Sequence, residues 1–205
     1  KAQYPVFIPE IQAFLNSLHQ YPSLTCDIEA FSLNPFEAGI GSIAFAWNKH
    51  EGGAFLVDWI KNPDDSPLEG QQRNNKAIKS LLKHFFINYK GSIKYHNMVY
   101  DAKVLILELF MSHPQDYEGM LYGLEVMTRD IDDTKVIAYL ALNTTAELSL
   151  GLKDLGHEYA GDYAESDIKN IRLIPQESLL KYNLTDCLTT WFVFDKYYPV
   201  MLQDN

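Results

Sequence analysis

Residues 24–30, Leu-Thr-Cys-Asp-Ile-Glu-Ala, restrict the fold more than any other segment, because they set two carboxylates inside an otherwise apolar stretch. The run is too short for a typical helix and suits a buried strand. Side chains at i and i+2 of a strand point to the same face, so Asp27 and Glu29 project side by side while Cys26 and Ile28 pack on the other. Two adjacent anions in a partly buried place are costly unless a positive charge neutralises them. A divalent cation with hard oxygen ligands, Mg²⁺ or Mn²⁺, would do so. The bland alternative is the solvent-exposed end of an edge strand.

The flanking pattern places this strand in an α/β chain. Residues 5–20 read as a short amphipathic lead-in helix within residues 1–20, and residues 31–39, with Asn34-Pro35 and Gly39, read as a turn. Residues 40–47 and 54–59 bracket the polar stretch 48–53 and predict a hairpin. Residues 62–70 read as a loop. Ile78, Leu81, Leu82, Phe85 and Phe86 recur at helical spacing and predict a helix over 75–89, stopped by Gly91. A short strand is expected at 92–95, then helices at 102–110, 134–142 and 148–155, the last ended by Gly156. Residues 159–174 read as a polar loop, and a final helix runs over 176–197 and stops at Pro199. Strands followed by helix–strand–helix alternation imply a sheet with helices on its faces.

At 205 residues without a Gly-, Pro- or Ser-rich linker, the chain reads as one domain, residues 1–205. No apolar run approaches a membrane span and no signal peptide opens the chain, so no membrane is expected. Cys26 and Cys187 lack partners at zinc-site spacing and read as small core residues of a reducing compartment. The formal charge of −10 argues against holding duplex nucleic acid on a broad basic surface, but not against gathering carboxylates around cations. Lys94, Lys103, Lys153, Lys169 and Arg172 are scattered among acids. Lys1 in place of Met is compatible with a processed chain or a fragment.

Two further segments carry acids with a stated position. His96-Asn97-Met98-Val99-Tyr100-Asp101 lies between a predicted strand and a helix, where Asp101 could be a helix cap or a ligand. Tyr182-Asn183-Leu184-Thr185-Asp186 lies on the final helix, where Tyr182 and Asp186 are i and i+4 and share a face. An exposed face without a role is the alternative there.

In order and internal spacing, the three segments resemble the exonuclease motifs of the DEDD superfamily in its tyrosine-bearing branch. Asp27-Ile28-Glu29 is similar to the first motif, Asn97 to Asp101 with Tyr100 to the second, and Tyr182 to Asp186 to the third. Asp133-Thr134 followed by Ala138-Tyr139-Leu140 resembles the helix start these domains carry before the third motif. The stretch from Tyr182 to Pro199 looks like the helix that leads on to the polymerase in family A DNA polymerases, phage members above all. The resemblance covers roughly residues 24–202. Ala30 departs from it, since many relatives carry Ser or Thr there.

The resemblance implies an RNase H-like (DnaQ-like exonuclease) fold, α/β, with a mixed central sheet of about five strands flanked by helices. It implies a 3′→5′ exonuclease proofreading for a DNA polymerase, of which the chain would be a fragment. The DNA 3′ end, preferably single-stranded, would be the partner, and a polymerase domain would be covalently attached. The location would be cytoplasmic, in the host if the source is viral. Two divalent metal ions, Mg²⁺ or Mn²⁺, roughly 3.5–4 Å apart, would activate water and stabilise the leaving 3′ oxygen. Asp27 would bridge them, Glu29 and Asp186 would complete one site, and Asp101 would hold the second metal through water. Tyr182 would orient the nucleophilic water. Leu33 would wedge against the terminal base, with Asn97 and Tyr100 lining the nucleotide pocket; plain core packing is the alternative for Leu33 and an ordinary aromatic for Tyr100. A ribonuclease D-like enzyme acting on RNA 3′ ends is the nearest rival, and a non-catalytic scaffold of the same fold the next.

Overall fold

A computed structural model describes residues 1–58, 76–142, 149–161 and 170–204. Trp59, the loop expected at 62–70, Leu148 and Lys169 lie outside the described residues.

The hairpin expectation holds in its essentials. Strand β2 (Ser23–Glu29) pairs antiparallel with β3 (Ser42–Asn48), which turns tightly into β4 (Glu51–Leu56). The polar stretch 48–53 is therefore mostly strand, with only Lys49 and His50 at the turn. On its other side β2 pairs in parallel with β5 (Ser92–Tyr95), which pairs in parallel with β6 (Ile131–Asp133). A two-residue strand, β1 (Ala2–Gln3), adds to β4, giving six strands in the order β1-β4-β3-β2-β5-β6 where about five were expected.

Helices cover both faces. On one lie α1 (Ile8–Leu18), α2 (Lys76–Asn88), α3 (Val99–Leu109) and α4 (Tyr117–Met127). Their apolar stripes close over Leu24, Cys26, Ile28, Ile43, Phe45 and Phe55 in the larger core. On the other lies α7 (Gln176–Asp204), packed in turn against α5 (Thr134–Leu142) and α6 (Leu152–Ala160). Here the sheet presents small residues, Ala44, Ala46 and Ala54, to Leu184 and Cys187. A Cβ on Gly52 would come within 2.7 Å of Leu184 Cδ1, so α7 sits almost on the backbone of β4. This alternation also fixes register, because a one-residue slip of β2 would drive Asp27 and Glu29 into the apolar core. Cys26 and Cys187 fall on opposite faces, both buried and both free thiols.

Two expected stops are corrected. Gly156 lies within α6 instead of ending it: a Cβ there would stand 2.0 Å from Thr189 Cγ2 of α7, so the residue is small for close packing. Pro199 lies within α7, which continues to Asp204. A proline removes one intrahelical hydrogen bond, here the one that would reach Asp195, and Asp195 is exposed, where water can take that carbonyl.

Candidate active site

β2 and β5 run in parallel, so their C-terminal ends open on the same edge of the sheet, the edge where α/β folds place ligands. Asp27 and Glu29 occupy that end of β2, on the face turned to α7. Tyr182, Asn183 and Asp186 come from the second turn of α7 onward, and Asp101 from the first turn of α3. One carboxylate oxygen from each of Asp27, Glu29 and Asp186 lies within 4.8 Å of the others. Asp101 is 7% exposed and borders this triplet.

Burial and mutual repulsion of the acids dominate the electrostatics of the site. Burial pushes Asp27 well above the ordinary carboxylate range, and Asp101, Asp186 and Glu29 push it further, against a hydrogen bond from Asn183 that lowers it. Burial and then Asp186 raise Glu29 to about 8, while Lys153 pulls the other way. Burial, with Glu29, Asp133 and Asp186, raises Asp101 strongly. At 4.8 Å, a pair of ionised carboxylates repels by roughly 3–4 kcal/mol at an effective dielectric of about 20. A donor set made only of closely spaced carboxylate oxygens fits Mg²⁺ or Mn²⁺.

The cap reading of Asp101 is not realised. The turn into α3 is held by Asp133, whose carboxylate accepts from the backbone N–H of Asn97 at 3.0 Å, Met98 at 2.9 Å and Lys135 at 2.9 Å. Met98 is the N-cap and makes no side-chain cap bond, which leaves Asp101 directed to the carboxylate cluster. Asn97 takes a left-handed φ of 61°, which Asn tolerates better than most residues, and it is exposed with its Oδ1 3.4 Å from Lys135 Nζ.

Beside Glu29 lies a cavity of about 160 Å³ lined by Glu29, Phe31, Leu33, Tyr100, Asn170 and Ile171, among others. Leu33 is 90% exposed at its rim, so it is not core. The Tyr100 hydroxyl donates to the Ser32 carbonyl and ties α3 to the segment that carries Leu33. Asn97 is not among the residues lining this cavity.

Three participants were not legible beforehand. Lys153, at the start of α6, places its Nζ 5.1 Å from the centre of the Tyr182 ring. The segment leading into α6 is held by His96, whose ring nitrogens meet Thr134 Oγ1 at 2.9 Å and the Leu150 carbonyl at 3.0 Å. Burial lowers His96 to about 4, so the imidazole is neutral, donating from Nε2 to the carbonyl and accepting at Nδ1. Asn183, fully buried, donates to Asp27 Oδ2 at 2.6 Å.

No family model matches the sequence, and no curated protein sequence matches it. Solved structures do. Escherichia coli RNase D, an exoribonuclease involved in structured RNA processing, superposes with a TM-score of 0.59 at 14% identity, over 98% of this chain and 46% of that one. Brucella melitensis NrnC bound to pGG gives 0.61 at 16% identity, over 100% of this chain and 82% of its own. S. pombe Pop2p in its Mg²⁺- and Mn²⁺-bound form gives 0.60 at 14%, over 97% and 94%. The chain thus spans under half the length of the RNase D chain. At these identities the likeness shows the fold alone: an RNase H-like, DnaQ-type α/β architecture, a mixed six-stranded sheet with flanking helices. Among the described residues no helix is long and apolar enough to cross a membrane.

Proposed function

We propose that this chain is a metal-dependent 3′→5′ exonuclease that removes the terminal nucleotide from a DNA strand, in the proofreading role of a polymerase-linked domain. The observation that carries the reading is the convergence of Asp27, Glu29 and Asp186 within 4.8 Å, with buried Asp101 beside them, from three distant segments. Asp27, Glu29 and Asp186 would hold divalent cations, with Asp101 serving a second ion. When bound, such cations supply Lewis acidity toward the phosphodiester and a water of lowered pKa.

The chain's own groups then position the reactants. Tyr182, one helical turn from Asp186, would orient the attacking water through its hydroxyl; with an unperturbed pKa near 10, a tyrosine is a poor base at neutral pH. Lys153 above the Tyr182 ring would hold that ring and place a cation near the scissile phosphate. Leu33 and Tyr100 flank the cavity beside Glu29, where an unstacked terminal base can enter against Phe31 and Ile171. Asn97 would contact the nucleotide from the turn before α3.

Replacing Asp27 or Asp186 with Ala should abolish Mg²⁺- or Mn²⁺-dependent release of mononucleotides, as should EDTA on the parent. An Asp27→Ala variant digesting at the parental rate would refute the site, and shortening from a labelled 5′ end would refute the polarity. The likeness to RNase D, an exoribonuclease, favours a second reading, trimming of RNA 3′ ends. Matched DNA and RNA oligonucleotides separate the two: a preference for RNA removes the proofreading role and the attached polymerase together, and leaves the carboxylate assignments standing.

A further inference from the structure

We propose that Asn183 is a positioning residue that sets the Asp27 carboxylate for metal binding, with its own amide aligned by Ser42. The inference rests on the reading of the carboxylate cluster as a divalent-metal site. Asn183 lies one residue after Tyr182 and three before Asp186, so it shares the sheet-facing side of α7 with Asp186. Ser42 lies on β3 directly opposite Glu29. Both Asn183 and Ser42 are fully buried.

The chain of hydrogen bonds has one consistent direction. Ser42 Oγ donates to Asn183 Oδ1 at 2.9 Å, and Asn183 Nδ2 donates to Asp27 Oδ2 at 2.6 Å. The flipped amide would turn its carbonyl oxygen onto the Asp27 carboxylate, acceptor against acceptor, and would give up the Ser42 hydrogen bond to Oδ1, so the two partners hold this orientation together. An ionised carboxylate offers about four lone-pair sites on two oxygens. Asn183 occupies one on Oδ2 and, among the described residues, leaves Oδ1 to cations. The terminal torsion of Asp is soft, and without this anchor the carboxylate would sample several orientations about it. Partners that orient metal ligands in this way change affinity although they never touch the ion.

The test is Mn²⁺ binding by the purified full chain, read from the electron paramagnetic resonance signal of free Mn²⁺, with thermal unfolding in EDTA alongside. Asn183→Ala should weaken Mn²⁺ binding by roughly 10- to 100-fold. Ser42→Ala, which keeps the amide but frees it to turn, should weaken it less. The double variant should match Asn183→Ala, since both act through one contact. A folded Asn183→Ala that binds Mn²⁺ like the parent, with only a lowered unfolding temperature, overturns the proposal. If Asn183→Ala does not fold, Ser42→Ala decides, and parental affinity in that variant overturns it. Asp27→Ala is the control: should it too bind Mn²⁺ like the parent, the metal-site reading itself fails, independently of Asn183.

Discussion

Glu29 sits at the point where charge repulsion in the site can be read as protein stability. In the metal-free protein its carboxyl is raised from 4.5 to about 8, by burial first and by Asp186 next. A group whose pKa is raised on folding binds more protons in the native state, so the native state is favoured at low pH and loses ground as pH climbs toward the folded value. With one pKa unit worth about 1.4 kcal/mol, Glu29 costs about 3 kcal/mol at pH 7 and about 4 kcal/mol at pH 8, relative to pH below 4.5. Asp27 and Asp101, also raised, add losses of the same sign. His96 acts in the opposite sense: lowered from 6.5 to about 4, it destabilises as pH falls below 6.5 and contributes nothing above it.

The window from pH 6.5 to pH 8 therefore isolates the carboxylates. Urea unfolding in EDTA should show the parent losing about 2 kcal/mol or more across it. Glu29→Gln, which keeps the shape and removes the charge, should lose less by about 2 kcal/mol and be the more stable protein at pH 8. Saturating Mg²⁺ should reverse the order, because the cation stabilises the ionised cluster of the parent and finds a poorer site in the variant. A parent whose metal-free stability is flat between pH 6.5 and pH 8, or a Gln variant no more stable at pH 8, would refute the electrostatic account of the site.

Tyr182→Phe keeps the ring under Lys153 and removes only the hydroxyl, so Mn²⁺ titration should be unchanged while turnover falls roughly 10²-fold. Lys153→Ala should lower kcat/KM by about fivefold, the equivalent of about 1 kcal/mol for a partly exposed cation over an aromatic ring, and Lys153→Arg should recover most of it. With a net charge of −10, the chain should grip few phosphates: fluorescent single-stranded oligonucleotide binding to a catalytically dead variant in Ca²⁺ should show a salt slope of roughly one to three phosphates. Tight duplex binding with a steep slope would show that the acidic surface was misjudged.

The strand bearing Asp27 and Glu29 is legible because a short apolar run is a local feature, and a period of two then sets both carboxylates on one face. The approach of Asp186 and Asp101 to it is not legible, since no spacing within one segment reports contacts across the sheet; the resemblance to known motifs supplied that step. Asn183 illustrates the limit. Its partners Ser42 and Asp27 lie 141 and 156 residues away, and a lone Asn in a helix carries no mark of what it will touch. Helix α4 is not legible in the sequence because apolar residues occupy both its faces, Val126 and Met127 buried but Tyr117, Leu121 and Leu124 exposed, which blurs the helical period. Strand β6 has three residues, too few for any alternation. Gly156 differs for another reason: a glycine in sequence signals a backbone stop, whereas the fold uses its missing side chain.

That use of Gly156 links the packing of α6 to the site it serves. An added Cβ would stand 2.0 Å from Thr189 Cγ2, and Thr189 cannot easily turn aside. Its side chain is 2% exposed, and its hydroxyl is held by the Thr185 carbonyl at 2.8 Å. Two effects of Gly156→Ala therefore compete. Alanine in a helix interior gains about 0.5–1 kcal/mol over glycine, while forcing a methyl into a filled contact costs about 1–3 kcal/mol. The overlap is severe enough for the second to win, with a net loss of about 1–2 kcal/mol in urea unfolding. The relief should come through α6 moving away from α7, which would carry Lys153 off the Tyr182 ring and lower turnover as well as stability. Adding Thr189→Ser removes the obstructing methyl and keeps the hydroxyl, so the double variant should regain both. A Gly156→Ala protein as stable as the parent would mean that α6 does not rest on Thr189, and with it the placement of Lys153 over Tyr182 would lose its support.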